Sequence, residues 1–204
     1  LLGLVGSEMC IRDSPSTTAR TVTLTVNDGT GATNATNTAT YTITITGTND
    51  QPSIALTTST LAYTEGDGAV TLDSAGMTIT DPDTPSTFGG ATVTFNSTGY
   101  VSSEDTLAMV ASTSAISVST FNTTSGSISL SGSATIAQYI ATLQTLKYEN
   151  TNTNNPSETT RSLSWTVNDG ATSSAAVTTT IAVTGVNDAP ALSLATSTQA
   201  FSEG

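Results

Sequence analysis

The stretch Arg161-Ser162-Leu163-Ser164-Trp165-Thr166-Val167-Asn168-Asp169-Gly170 decides the fold. Leu163, Trp165 and Val167 alternate with Ser162, Ser164 and Thr166, so an extended backbone sends one set to each face. One face is apolar and the other carries hydroxyls, the pattern of a half-buried antiparallel strand. Trp165 sits on the apolar side and reads as core rather than as a sugar platform. Working outward, Ile181 and Val183 alternate with Thr180, Ala182 and Thr184. Val70-Thr71-Leu72, Met77-Thr78-Ile79-Thr80, Ala91-Thr92-Val93-Thr94-Phe95, Ile116-Ser117-Val118, Ile128-Ser129-Leu130 and Leu146-Lys147-Tyr148 are further short strand signals. One segment breaks the pattern. Between Ala134 and Leu143, the residues Ile136, Tyr139, Ile140 and Leu143 fall at helical spacing. Ser133 is a reasonable N-cap, and the spacing predicts a short helix crossing one end of the sheets. The fold predicted is all-β: a tandem antiparallel Greek-key β-sandwich with one short helix near 134–143.

The same stretch exposes a repeat. Thr166-Val167-Asn168-Asp169-Gly170 is preceded by Thr25-Val26-Asn27-Asp28-Gly29. Gly185-Val186-Asn187-Asp188-Ala189-Pro190 is preceded by Gly47-Thr48-Asn49-Asp50-Gln51-Pro52, and Ser202-Glu203-Gly204 by Thr64-Glu65-Gly66, both at an offset of 138 residues. The first pair is offset by 141, because an early Gly/Asn-rich loop is three residues longer. Val22, Leu24 and Val26, with Tyr41, Ile43 and Ile45, alternate in the earlier copy as their counterparts do later. Residues 15–50 are therefore read as the end of one repeat, 51–188 as a complete repeat, and 189–204 as the start of the next, a window on a longer array. Met9-Cys10-Ile11-Arg12-Asp13-Ser14 resembles an in-frame translation of a transposon adapter used in shotgun sequencing, so 1–14 are set aside as non-native.

Composition narrows the function. The chain holds 16 acidic and 4 basic residues and no His, for a formal net charge of −12. Such a surface repels nucleic acid and anionic membranes and attracts cations. Without His, a nucleophile–base triad has no base, and acid–base catalysis is short of tools. An enzyme is not expected. Setting Cys10 aside leaves no cysteine, so no disulfide stabilises the fold, and metal is the obvious substitute. No apolar run approaches the length of a membrane span.

Taken in order, Asp81-Pro82-Asp83, Gly90-Ala91-Thr92-Val93, Glu104-Asp105-Thr106-Leu107, Gly126-Ser127-Ile128-Ser129-Leu130-Ser131-Gly132, Tyr148-Glu149-Asn150-Thr151, Val167-Asn168-Asp169-Gly170 and Asn187-Asp188-Ala189-Pro190 resemble the cadherin-like tandem repeats of large, type I-exported (RTX-type) bacterial adhesins. The resemblance spans nearly the whole repeat. It implies a cadherin/immunoglobulin-like sandwich, secretion or display at the cell surface, and a structural role in adhesion. Its partners would be neighbouring repeats of the same chain and host or cell-surface glycans or proteins, with no nucleic acid and no membrane insertion. The alternative is a carbohydrate- or protein-binding sandwich module attached to a large secreted enzyme.

Calcium is the cofactor expected, because it takes six to eight oxygens, several from carboxylates. Strand direction brings Asn49, Asp50, Asp81, Asp83 and Asp169 to an upper junction, and Glu65, Glu149, Asn187 and Asp188 to a lower one. Asp28, the earlier counterpart of Asp169, is counted with them. Cadherin junctions are similar: they use a first-strand glutamate, an acid before the penultimate strand, an Asn-Asp linker, and Asp-x-Asp plus a later Asp. The acid that precedes the linker in cadherins is missing here, which implies fewer ions per junction. Plainer readings stay open. Asp28-Gly29 and Asp169-Gly170 are hairpin-turn signals, Asp81-Pro82-Asp83 fits a turn, and Asn-Asp-x-Pro fits a linker. Asp67, Asp73, Glu104, Asp105 and Glu158 read as solvated surface charge, and Lys147 as a lone base.

Overall fold

A computed structural model describes residues 16–27, 29, 36–83, 85, 87–193, 198 and 200–204. The sequence stretch 1–14 and Asp28 lie outside the described residues.

The first two strands, β1 (Arg20–Asn27) and β2 (Thr36–Ile43), form an antiparallel hairpin. The stretch read from the sequence as a repeat follows as β3 (Ser53–Ala55), β4 (Thr60–Thr64), β5 (Val70–Thr71), β6 (Thr78–Thr80), β7 (Phe88–Phe95), β8 (Asp105–Ala108), β9 (Ser117–Val118), β10 (Ser127–Ala134), α1 (Ile136–Leu143), β11 (Lys147–Asn150), β12 (Arg161–Asn168) and β13 (Val177–Thr184). One layer is a six-stranded sheet in the order β4-β13-β12-β7-β10-β9. The other is made from β5-β11-β8 and the pair β3-β6. The fold is an all-β sandwich with one short helix. Consecutive strands repeatedly change layer, so β7 lies between β10 and β12 rather than beside β6 or β8.

Alternation in the sequence becomes alternation in burial. Along β12, Arg161, Leu163, Trp165 and Val167 are buried while the Ser and Thr between them are half-buried. In β13, Ile181 and Val183 do the same. The two layers meet through aromatic edges: Tyr63 of β4 packs against Tyr148 of β11 with centroids 5.0 Å apart at 79°, and Phe95 of β7 approaches the same ring at 6.1 Å. Each fully buried aliphatic side chain of this core contributes about 1.5–3 kcal/mol relative to exposure.

The first strand of the repeat divides between the layers. β3 pairs antiparallel with β6, placing Ile54 opposite Ile79. The chain then crosses over, and β4 runs parallel to β13. Asp73 fixes the crossing, since its carboxylate accepts from the Thr57 amide at 2.9 Å and the Thr57 hydroxyl at 2.7 Å. Asp73 is buried, which corrects its reading as surface charge: a carboxylate satisfied by turn donors tolerates burial.

The helix starts later than Ser133 suggests, because Ala134 still pairs with Phe88 in the β10–β7 ladder. Thr135 is the N-cap, and Gln138 reciprocates by accepting from the Thr135 amide at 2.9 Å. Tyr139 and Leu143 are buried, and Ile136 and Ile140 pack half-buried on the core. The apolar stripe read at 136, 139, 140 and 143 is thus the face that seats the helix.

Candidate metal centre

The upper end of the repeat is built by three strand ends. The linker Asn49-Asp50 arrives after β2, Asp81 and Asp83 follow β6, and Asp169 follows β12. Hydrogen bonds tie them together. Asn49 Nδ2 donates to Asp169 Oδ2 and to Thr172 Oγ1, both at 3.0 Å. The Asp50 amide donates to Asp83 Oδ2 at 2.5 Å. The Asp83 amide donates to Asp81 Oδ1 at 2.9 Å. Asp169 Oδ1 accepts from the amides of Ala171 and Thr172 at 2.6 and 2.7 Å. Asp169-Gly170 is therefore both a turn and a member of the cluster.

After these bonds are counted, Asp50 Oδ2 and Asp81 Oδ2 remain buried with no donor. An orphaned carboxylate oxygen is costly in a protein interior. Asp81 is only 8% exposed. Burial pushes its carboxyl above the usual range, and the charges of Asp169, Asp83 and Asp50 push it further. For Asp169, burial also acts upward, but the amides of Thr172 and Ala171 and the side chain of Asn49 outweigh it and hold the group below the usual range. The structure thus brings Asn49, Asp50, Asp81, Asp83 and Asp169 together, with linker and repeat contributing to one acidic cluster. Among the described residues, no three Asp, Glu, His or Cys side chains close as a ready metal cage. The donor set suits a hard oxygen-seeking cation, as all its candidate ligands are oxygens.

The lower end is different from the sequence reading. Glu65 and Asn187 line one open groove with Glu158, Asn154, Asn155 and Pro156. Glu65 Oε2 accepts from the Val186 amide at 2.7 Å, while Glu65 Oε1 is buried without a donor. Glu158 Oε1 accepts from the Gly185 amide at 2.8 Å. Glu149 is not part of the groove. It sits on β11 opposite Thr106, and Glu158 occupies the place expected for it. The reason is direction: β12 runs toward the upper end, so the acid just before it lies at the lower end. Asp188 is exposed and does not line the groove; Asn187 Nδ2 donates to its carbonyl at 3.2 Å.

A buried polar network underlies the loop that carries Glu158. Arg161 is fully buried, and its Nε donates to both Asp105 oxygens at 3.1 Å. Nη2 reaches Glu104 Oε2 at 3.4 Å, and Nη1 donates to the carbonyls of Ser157 and Thr159. Glu104 accepts from the Asn152 side chain at 2.9 Å and the Ser157 amide at 3.0 Å. Burial acts to raise the Glu104 carboxyl, but these donors and Arg161 hold it below the usual range. Tyr148 Oη donates to Asp105 at 2.7 Å. Glu104 and Asp105 are thus internal partners of Arg161 rather than solvated charge; a buried arginine demands such partners. Lys147 is exposed. No protein-family model matches the chain, and no curated protein matches it.

Proposed function

We propose that this chain is a structural, calcium-binding segment of a large extracellular bacterial adhesin, in which an ion held between linker and repeat stiffens the joint. The observation that carries this reading is the cluster of Asp50, Asp81, Asp83 and Asp169. Asp81 is buried among three other carboxylates, and two of the cluster's oxygens have no donor. Asn49 and Asp50 come from the linker, and Asp81, Asp83 and Asp169 come from the repeat. A cation shared by both would replace repulsion with attraction and couple metal binding to folding. Glu65, Glu158 and Asn187 offer a second, more open set of oxygens at the lower end.

The role proposed is mechanical, not catalytic, since the chain has no His, Asp105 is committed to Arg161 and Asp73 to the Thr57 turn. Secretion or surface display agrees with the acidic composition, and among the described residues no helix is long and apolar enough to cross a membrane. Extracellular modules of this kind bind with a Kd of about 10⁻⁴–10⁻³ M, so an ion would be held outside the cell and not in the cytoplasm. The test is thermal unfolding with millimolar calcium against chelator. The melting midpoint rises in the parent protein and stays put in an Asp81→Ala, Asp83→Ala variant. An unmoved midpoint in the parent removes the proposal.

A further inference from the structure

The turn that follows β12 is tied to itself by local bonds. Asn168 Oδ1 accepts from the Gly170 amide at 2.7 Å, and Asn168 Nδ2 donates to Ser173 Oγ at 2.9 Å. The Asp169 amide donates to the Thr172 carbonyl at 3.2 Å. Ser174 closes the base: its amide donates to the Val167 carbonyl at 2.8 Å, and its Oγ accepts from the Val167 amide at 3.1 Å. Gly170, at φ +106°, takes the left-handed step that the reversal needs. Every partner lies within seven residues of the other, so the turn keeps its shape without help from the linker.

That turn presents three acceptors to the linker: Asp169 Oδ2, Thr172 Oγ1 and the Ser173 carbonyl. The linker meets them with side-chain amides. Asn49 Nδ2 reaches the first two at 3.0 Å, and Gln51 Nε2 donates to the third at 2.6 Å. Thr172 stands between the two parts. Its Oγ1 lies 3.4 Å from the Asp50 carbonyl and 3.2 Å from Asp169 Oδ2, either of which can take its proton. Asp50 is held between the two clasped side chains, its amide on Asp83 and its Oδ2 buried without a donor. Just beyond, Pro52 is buried and β3 begins. Every donor on the linker is an amide already present, so no cation is needed to close these contacts.

We propose that the β12–β13 turn is an ion-independent latch for the linker, and that Thr172 and Gln51, neither of them a candidate ligand, are positioning residues that hold Asp50 where a cation meets it. The latch itself stands without calcium; its effect on calcium affinity rests on the function proposed above. A linker ordered in advance spares the ion the entropy of ordering it. Once freed, the linker occupies the competent pose for a fraction of the time, and the apparent Kd rises by the inverse of that fraction.

Amide nitrogen relaxation of the full chain in chelator reads the latch. In the parent, residues 47–51 have order parameters near those of a rigid backbone, about 0.85. Thr172→Val removes the hydroxyl and keeps the branched shape; Gln51→Met removes the amide and keeps the length. In the double variant the linker values fall below about 0.6, while those of β12 and β13 hold and show that the sandwich is intact. Gln51→Met alone, which lies outside the turn, shows part of the same loss, and Thr172→Ser keeps the parent's values. Calcium titration of the same proteins gives a Kd about threefold or more higher in the double variant and unchanged in Thr172→Ser. A mobile linker in the calcium-free parent, or one equally ordered in the double variant, overturns the latch. A freed linker with undiminished calcium affinity overturns the positioning role. A parent that takes up no calcium sinks the calcium reading instead, and the relaxation data still decide the latch.

Discussion

At the residue scale, Asp81 concentrates the strain of the upper cluster. Its carboxyl is raised by burial first and by Asp169, Asp83 and Asp50 after that. A carboxyl raised on folding contributes stability that is present below its unfolded pKa and lost as pH rises through the folded one. At neutral pH the metal-free protein therefore bears the cost of an ionised Asp81. Asp81→Asn retains an oxygen for the Asp83 amide and removes the charge. In chelator its melting midpoint lies above that of the parent at pH 7, and the difference closes as pH falls toward the ordinary carboxylate range. In calcium the order reverses, because the variant lacks a ligand. Differential scanning calorimetry across pH, with and without calcium, checks both halves. Arg161 presents the opposite case, a buried charge fully provided for. Arg161→Leu strands Asp105 without its cation and costs about 3–5 kcal/mol in urea unfolding. None of this burial is legible in the chain. Asp73, Glu104 and Asp105 look like surface charge because their partners, Thr57 and Arg161, are remote in sequence.

At the element scale, what the residues announce is periodicity. The strands around Leu163 and Ile181 and the stripe from Ile136 to Leu143 are readable because each buries one face, and a one-faced element must repeat at its own period. Contacts between elements are less readable. The division of the first strand into β3 and β4 depends on an Asp73 cap that only the folded chain provides. The helix start moves from Ser133 to Thr135 because the β10–β7 ladder claims Ala134 first. Thr135→Ala removes the side-chain half of the capping box and costs about 1 kcal/mol, measured by chemical unfolding. Thr135→Ser restores most of that loss. Glu158 was hidden for a similar reason. Its position depends on where the 151–160 loop delivers the chain to β12, and the Glu104–Arg161 network sets that path.

At the scale of the whole molecule, the repeat offset carries most of the information. It relates β1–β2 to β12–β13 residue by residue, and it places the linker acids at the same end as Asp81, Asp83 and Asp169. The upper cluster could be assembled from strand direction alone, because Asp81, Asp83 and Asp169 sit one to three positions beyond a strand end and Asn49-Asp50 lie just ahead of β3. The lower groove could not, since a loop and not a strand supplies Glu158. The central claim is that linker and repeat hold one ion between them. Calorimetric titration of calcium into the parent, an Asp50→Asn variant and an Asp83→Asn variant tests it, since Asp50 belongs to the linker and Asp83 to the repeat. A shared ion requires that the same binding event weaken at least tenfold in each single variant and weaken further when the two changes are combined. Undiminished binding in either single variant contradicts a shared ion.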